Sequence, residues 1–297
     1  MINRRDVMKL SAAAGLAALP LTAARASSAA LDWTYFQADE SGFRRTPVLL
    51  AGQKQAILID GGFTLSDGKA VAEAIKKTGK RLTTIYVTCN DPDYYFGLRP
   101  VVEAFPDAKV IAKPATVAAI KANITEKLSV WSPQLKENGP QTLADVVIPE
   151  ISEATSLELE GTRIEIVEIG DMHDRRYLYV PALQAVFGGV LVDSGIHVWV
   201  ADTATPESRA AWVKALDGII AKAPKIVVPG HQMAGAPQGL QAVTFTRDYL
   251  LAFEEEMKKS KDSAELIAAM TRRYPALADV SSLELGAKVA KGEMKWG

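Results

Sequence analysis

The sequence predicts an α/β fold built from two groups of strands, each accompanied by helices. Three observations support this. Strand-length runs of apolar and β-branched residues fall in one group before about residue 113 and a second between about 146 and 231. Segments with apolar residues at helical spacing separate and follow them. The chain is 297 residues long and 48% hydrophobic, enough to bury one large core. This order permits two sheets packed face to face with helices outside, and equally permits a doubly wound sheet.

The elements follow in order. Residues 31–37, 47–51 and 55–60 read as short strands bounded by turn residues, with Asp60-Gly61-Gly62 ending the run. A helix is expected at about 66–79, where Ala70, Val71, Ala74 and Ile75 form an apolar face. TTIYVT (83–88) is a β-branched strand. The loop CNDPDYYFG (89–97) and a short helix to Phe105 come next, then a strand at 109–113. Residues 114–145 look helical, with breaks near Ser132-Pro133 and Gly139-Pro140. The second group opens with strands near 146–151, 156–159 and 163–168, followed by 177–180 and 185–192. Thr205-Pro206-Glu207 starts a helix over 206–222 with a capping hydroxyl, a proline at the first helical position and an early acid. KIVVPGH (225–231) is a strand ending in a turn. The tail from 238 is helical in two or three pieces, with KKSKD (258–262) as a solvated bend.

Residues 1–26 have the layout of a twin-arginine export signal. Arg4-Arg5 precedes a short alanine-rich apolar run, and Ala24-Arg25-Ala26 is a small-x-small cleavage site. The apolar run is too short to span a bilayer, and no later segment is apolar for long enough. The expected mature chain is 27–297, a single domain with a helical C-terminal tail, in the periplasm and without a stable membrane anchor. The whole chain has 34 basic and 35 acidic residues with no basic patch, which argues against a nucleic-acid partner. Cys89 is the only cysteine, so no internal disulfide is available.

From Gln55 onward the chain resembles the metallo-β-lactamase superfamily, in particular bacterial members whose first metal motif reads T-H-P-H-P-D-H-Y-F-G. The equivalent stretch is Thr88-Cys89-Asn90-Asp91-Pro92-Asp93-Tyr94-Tyr95-Phe96-Gly97. LIDGGF (58–63), YLYVPALQAVFGG (177–189), GIHVWVADTATPESRAAW (195–212) and VVPGH (227–231) match in order and spacing. The resemblance implies an αββα four-layer sandwich with a metal site on loops at one edge of the sheets. Its metal-binding positions fall on Cys89, Asp91, Asp93, Tyr94, Asp171, Val190 and His231, and only Asp93 and His231 keep the expected residue. The bridging aspartate becomes Val190, which cannot bridge two ions. The whole chain has three histidines, His173, His197 and His231. A dinuclear zinc centre is therefore not expected. One hard cation or iron held by Asp91, Asp93, Asp171 and His231 suits the remaining donors, and loss of all metal stays open beside it.

Two functions follow from the resemblance. One is a hydrolase-like protein with a remodelled site, acting on a small ester, lactone or amide. His231 would be the base and Asp93 its orienting partner. Cys89 would serve as a nucleophile, and Asp91 and Asp171 as acids or ligands. The other is a non-catalytic relative that binds a small ligand or a protein partner in the periplasm. Tyr94, Tyr95 and Phe96 are expected as pocket wall, with His197 lining the pocket or buttressing it. Trp199 and Trp212 are expected in the core, His173 in a surface loop, and Arg175-Arg176 in a solvated turn.

Overall fold

The computed structural model describes residues 31–170, 172 and 174–296. Residues 1–26, where an export signal is expected, and Asp171 and His173 lie outside the described residues.

The first sheet contains β1 (Asp32–Tyr35), β2 (Val48–Ala51), β3 (Gln55–Ile59), β4 (Arg81–Tyr86), β5 (Lys109–Ala112) and β6 (Glu150–Ile151), in that spatial order. Its first two pairings are antiparallel and the rest parallel. Helices α1 (Leu65–Thr78), α2 (Arg99–Ala104) and α3 (Pro114–Leu135) accompany it. The second sheet contains β7 (Ser156–Leu159), β8 (Thr162–Glu168), β9 (Arg176–Val180) and β10 (Ala185–Phe187), ordered β12-β10-β9-β8-β7 with β12 (Ile226–Val227) at its edge. A short parallel pair joins β11 (Asp193–Ser194) to β13 (His231–Gln232). Helices α4 (Pro206–Ala221), α5 (Leu240–Lys259), α6 (Ser263–Arg273) and α7 (Val280–Ala290) complete the second half.

The period-two alternation of strand side chains makes four layers. In β2, Val48 and Leu50 face the space between the sheets, while Leu49 faces the first helical layer. In β3, Ile57 and Ile59 face inward, with Ala56 and Leu58 toward the helices. In β9, Leu178 and Val180 join that same inter-sheet core, while Tyr177 meets the second helical layer with Trp212, Leu216 and Phe253. The αββα sandwich expected from the resemblance is what forms.

Two expectations change. Glu150–Ile151 pairs with β5 and so closes the first sheet instead of opening the second. Helix α3 runs through Pro133 to Leu135. Pro133 has no N–H to give the Ser129 carbonyl one turn earlier, and the helix ends two residues on. Ser132 then ties the helix end to the next loop by donating to the Pro140 carbonyl at 2.7 Å.

The ends of β3, β4, β10 and β12 converge on one edge. Gly97 explains the chain path there. A Cβ at this position would lie 2.7 Å from the Thr64 carbonyl oxygen and 2.8 Å from that of Gly61. Only glycine lets the loop after β4 press against the start of α1.

Candidate active site

The edge holds a cleft of about 210 Å³, smaller than the roughly 300–1,000 Å³ usual for drug-sized ligands. Phe43, Phe63 and Trp131 form one wall: the two phenylalanine rings stack at 4.7 Å and Trp131 meets both edge-on. Trp199 and Trp296 form another, with ring centroids 5.4 Å apart. Asp91, Asp93, Asp193, Asp202, His197 and His231 line it between these walls.

Beneath the cleft lies Arg45, 1% exposed. Its Nη1 donates to the Gly230 carbonyl at 2.6 Å, its Nε to the Asp93 carbonyl at 3.2 Å and its Nη2 to Asp60 Oδ2 at 3.3 Å. Its Nε also lies 3.3 Å from Asp93 Oδ2, and its guanidinium carbon sits 3.5 Å above the Tyr94 ring. Asp60 has a left-handed backbone (φ 63°) and accepts from the Thr88 N–H at 2.8 Å and its hydroxyl at 2.9 Å. Burial raises the Asp60 pKa to about 6 against the pull of Arg45.

His231 stands beside this cluster. Its Nδ1 lies 2.7 Å from the Phe43 carbonyl, which can only accept, so Nδ1 carries the proton. The unprotonated Nε2 then faces Asp93 Oδ2 at 3.3 Å. Burial, then the nearby Arg45, pushes the His231 pKa down to about 3, so the ring is neutral at physiological pH. Burial also raises the Asp93 pKa. Opposite His231 in the β11–β13 register is Asp193, whose pKa burial raises to about 8.

A second cationic cluster lies toward the rim. Arg175 Nη1 is 3.7 Å from Asp91 Oδ2 and its Nη2 is 3.7 Å from Asp202 Oδ2. Cys89 Sγ donates to Asp91 Oδ2 at 3.0 Å. Asp202 accepts from the indole N–H groups of Trp199 at 2.8 Å and Trp296 at 2.9 Å.

A family model described as the metallo-beta-lactamase superfamily matches residues 42–231, more than half of the chain. The chain belongs to the metallo-beta-lactamase superfamily. Among solved structures it is similar to a metallo-beta-lactamase from Pontibacter korlensis, with 20% identity and a TM-score of 0.52 over 70% of this chain and 87% of that one. It is also similar to VMB-1, with 20% identity and a TM-score of 0.51 over 74% and 91% of the two chains. At such identity the likeness speaks for the fold. No curated protein matches the chain.

Among the described residues, the donor set does not fit the zinc pair of the metallo-beta-lactamase superfamily. Among the described residues no group of three histidine, cysteine or carboxylate side chains is arranged to hold an ion. Asp93 faces the guanidinium of Arg45, Asp91 faces that of Arg175, and Val190 offers no ligand atom. A cation brought to Asp91 or Asp93 would have to displace a buried like charge.

The other expected site residues are placed as follows. Asp93 and His231 meet. Tyr94 and His197 line the cleft, both buried. His197 Nδ1 pairs with the Tyr249 hydroxyl at 2.9 Å, and burial lowers its pKa. Tyr95 and Phe96 do not reach the cleft; they pack in the first helical core, where Phe96 lies 6.1 Å from Phe63. Burial, first of all, and Asp91 raise the Cys89 thiol well above its ordinary pKa, which opposes a nucleophilic role. Trp199 is cleft wall, whereas Trp212 is both wall and core, donating to the Leu191 carbonyl at 2.9 Å. Arg175 and Arg176 are buried, at 8% and 3% exposure, and not in a solvated turn.

Arg45, Asp60, Asp193 and Asp202 were not singled out by sequence. Asp193 carried one readable signal, a lone carboxylate inside the apolar run VFGGVLVDSG. Arg45 carried none, since Arg44-Arg45 before a strand looks like ordinary surface charge.

Proposed function

We propose that the protein is an exported ligand-binding member of its superfamily that holds a compact, largely apolar organic molecule in this cleft without a zinc pair. The observation that carries this reading is Arg45 Nε lying 3.3 Å from Asp93 Oδ2: the carboxylate kept from the metal motif already faces a fixed organic cation. The aromatic walls supply apolar contact, and the neutral His231 and Asp193 supply hydrogen bonds at little desolvation cost. Trp131, Trp199, Trp212 and Trp296, four of the five tryptophans, line the cleft. Binding should therefore change intrinsic fluorescence. Titration with small lactones, esters, amides and aromatic acids is expected to give saturable quenching for one class, weakened in Trp199→Ala. An unchanged spectrum across all classes, with the fold intact, contradicts the reading.

A hydrolytic reading is favoured by one observation. Asp193, with its pKa near 8, is a protonated acid at neutral pH opposite a neutral imidazole. Two titratable groups pushed apart in this way resemble an acid–base pair. His231 Nε2 would take a proton from water while Asp193 gives one to the leaving oxygen or nitrogen. A base with a pKa of about 3 is weak, so slow turnover is expected. Turnover of an ester or lactone that disappears in both Asp193→Asn and His231→Gln supports this reading. Equal rates in the variants and the wild type contradict it.

A further inference from the structure

We propose that the Arg45 and Arg175 guanidinium ions are the permanent cations of this cleft, doing the cross-linking work that two metal ions would otherwise do. Arg45 serves the Asp93–Tyr94 end of the loop after β4, and Arg175 serves the Cys89–Asp91 end. Each joins segments distant in sequence. Arg45 ties its own loop to Asp60 after β3, to Asp93 after β4 and to Gly230 after β12. Arg175 ties the start of β9 to Asp91 and to Asp202. Both side chains are buried.

Arginine suits this work physically. Its guanidinium is planar, stays charged at any working pH and offers five donors in a fixed fork. Arg45 uses that fork on a carbonyl, a carboxylate and a second carbonyl, and its flat face on the Tyr94 ring at 3.5 Å. Tyrosine in place of a neutral nitrogen ligand becomes intelligible: a ring face holds a guanidinium, not a metal. The carboxylates at Asp91 and Asp93 are likewise accounted for, because each faces a guanidinium. The proposal concerns what holds the cleft together and does not depend on which ligand enters it.

The test compares cations in the wild type and in two truncated variants. Elemental analysis of the full exported chain, purified without chelator, should show metal well below one equivalent. Zinc ion and a chelator should leave the wild-type Tm unchanged. Arg45→Ala and Arg175→Ala should each melt lower, Arg45→Ala by roughly 10 °C. Millimolar guanidinium, far below denaturing levels, should restore part of that loss in the variants and none in the wild type. Zinc ion should bind Arg175→Ala at least about tenfold more tightly than the wild type, since two carboxylates are freed. Should Arg45→Ala fail to fold, Arg175→Ala and the wild-type arms still decide. Stoichiometric metal in the wild type, a zinc-dependent rise of its Tm, or no rescue and no gained zinc binding in Arg175→Ala overturns the proposal.

Discussion

The two buried arginines occupy the same cleft in different ways. Arg45 and its partner Asp60 have side chains 1% exposed, and its contacts lie between 2.6 and 3.3 Å. Arg175 sits at 9%, its partners Asp91 and Asp202 at 14% and 20%, and both contacts are 3.7 Å. The inner cluster joins strand ends that the sheets already fix. The outer one reaches, through Asp202, to Trp199 and to Trp296 near the C-terminus. Burial without water strengthens every charge pair and raises the cost of breaking it, while partial exposure softens both effects. The inner arginine should therefore act as scaffold and the outer one as an adjustable link between fold and rim.

The largest expected effect breaks the inner cluster. Arg45→Met leaves Asp60 and Asp93 without their cation and should cost about 3–5 kcal/mol in denaturant unfolding. Arg175→Met should cost clearly less, since solvent reaches its partners. Equal losses would erase the distinction between scaffold and link.

The next effect is a pH dependence from the cleft floor. Asp193 titrates near 8 when folded, above its ordinary value of 3.8. The folded state thus holds a proton that the unfolded chain has already released, and stability falls as pH rises from about 3.8 to about 8. Asp60 adds a fall of the same sign that ends near pH 6. His231 works the other way: held neutral down to about 3 against an ordinary 6.5, it adds stability as pH rises to 6.5 and nothing beyond. Between pH 6.5 and 8 the His231 contribution is constant and Asp193 contributes a falling slope of at most about 1.4 kcal/mol per pH unit. Unfolding of the wild type measured across that window should show it, and Asp193→Asn should be nearly flat. A slope that survives the substitution would assign the titration elsewhere.

Smaller changes sharpen the role of the rim. Asp202→Asn keeps one acceptor oxygen for the two indoles and removes the charge facing Arg175. A loss of about 1 kcal/mol is expected, with a shifted tryptophan emission as Trp296 loosens. The smallest effect separates cleft from core. Among the described residues the buried Tyr95 hydroxyl has no hydrogen-bond partner, so Tyr95→Phe should leave stability within about 0.5 kcal/mol of the wild type and ligand-induced quenching unaltered. Altered quenching would return Tyr95 to the cleft wall.

Much of this was legible in the sequence, for physical reasons. PVLLA and the AILI of QAILID are apolar throughout, which marks strands covered on both faces, while the αββα order itself was legible only through the family resemblance. Asp93 and His231 were readable because strand ends in this fold converge, so residues following them meet despite a separation of over a hundred positions. Arginine partners were not readable. A guanidinium on a long flexible stem can reach many acceptors, and no spacing rule ties Arg45 to Asp93 or Arg175 to Asp91. Tyr95 and Phe96 were misplaced because neighbours in a tight 3-10 turn point in different directions: Tyr94 turns to the cleft while the next two side chains enter the core. Trp296 escaped notice because no pattern within the final segment tells that it folds back onto Asp202.

The most direct test is diffraction from crystals grown in excess zinc and recorded at the zinc absorption edge. Ordered guanidinium density beside Asp93 and beside Asp91, with no anomalous peak at either carboxylate, is the expected result. A zinc peak within bonding distance of Asp93 and His231, with Arg45 swung away, would contradict the account.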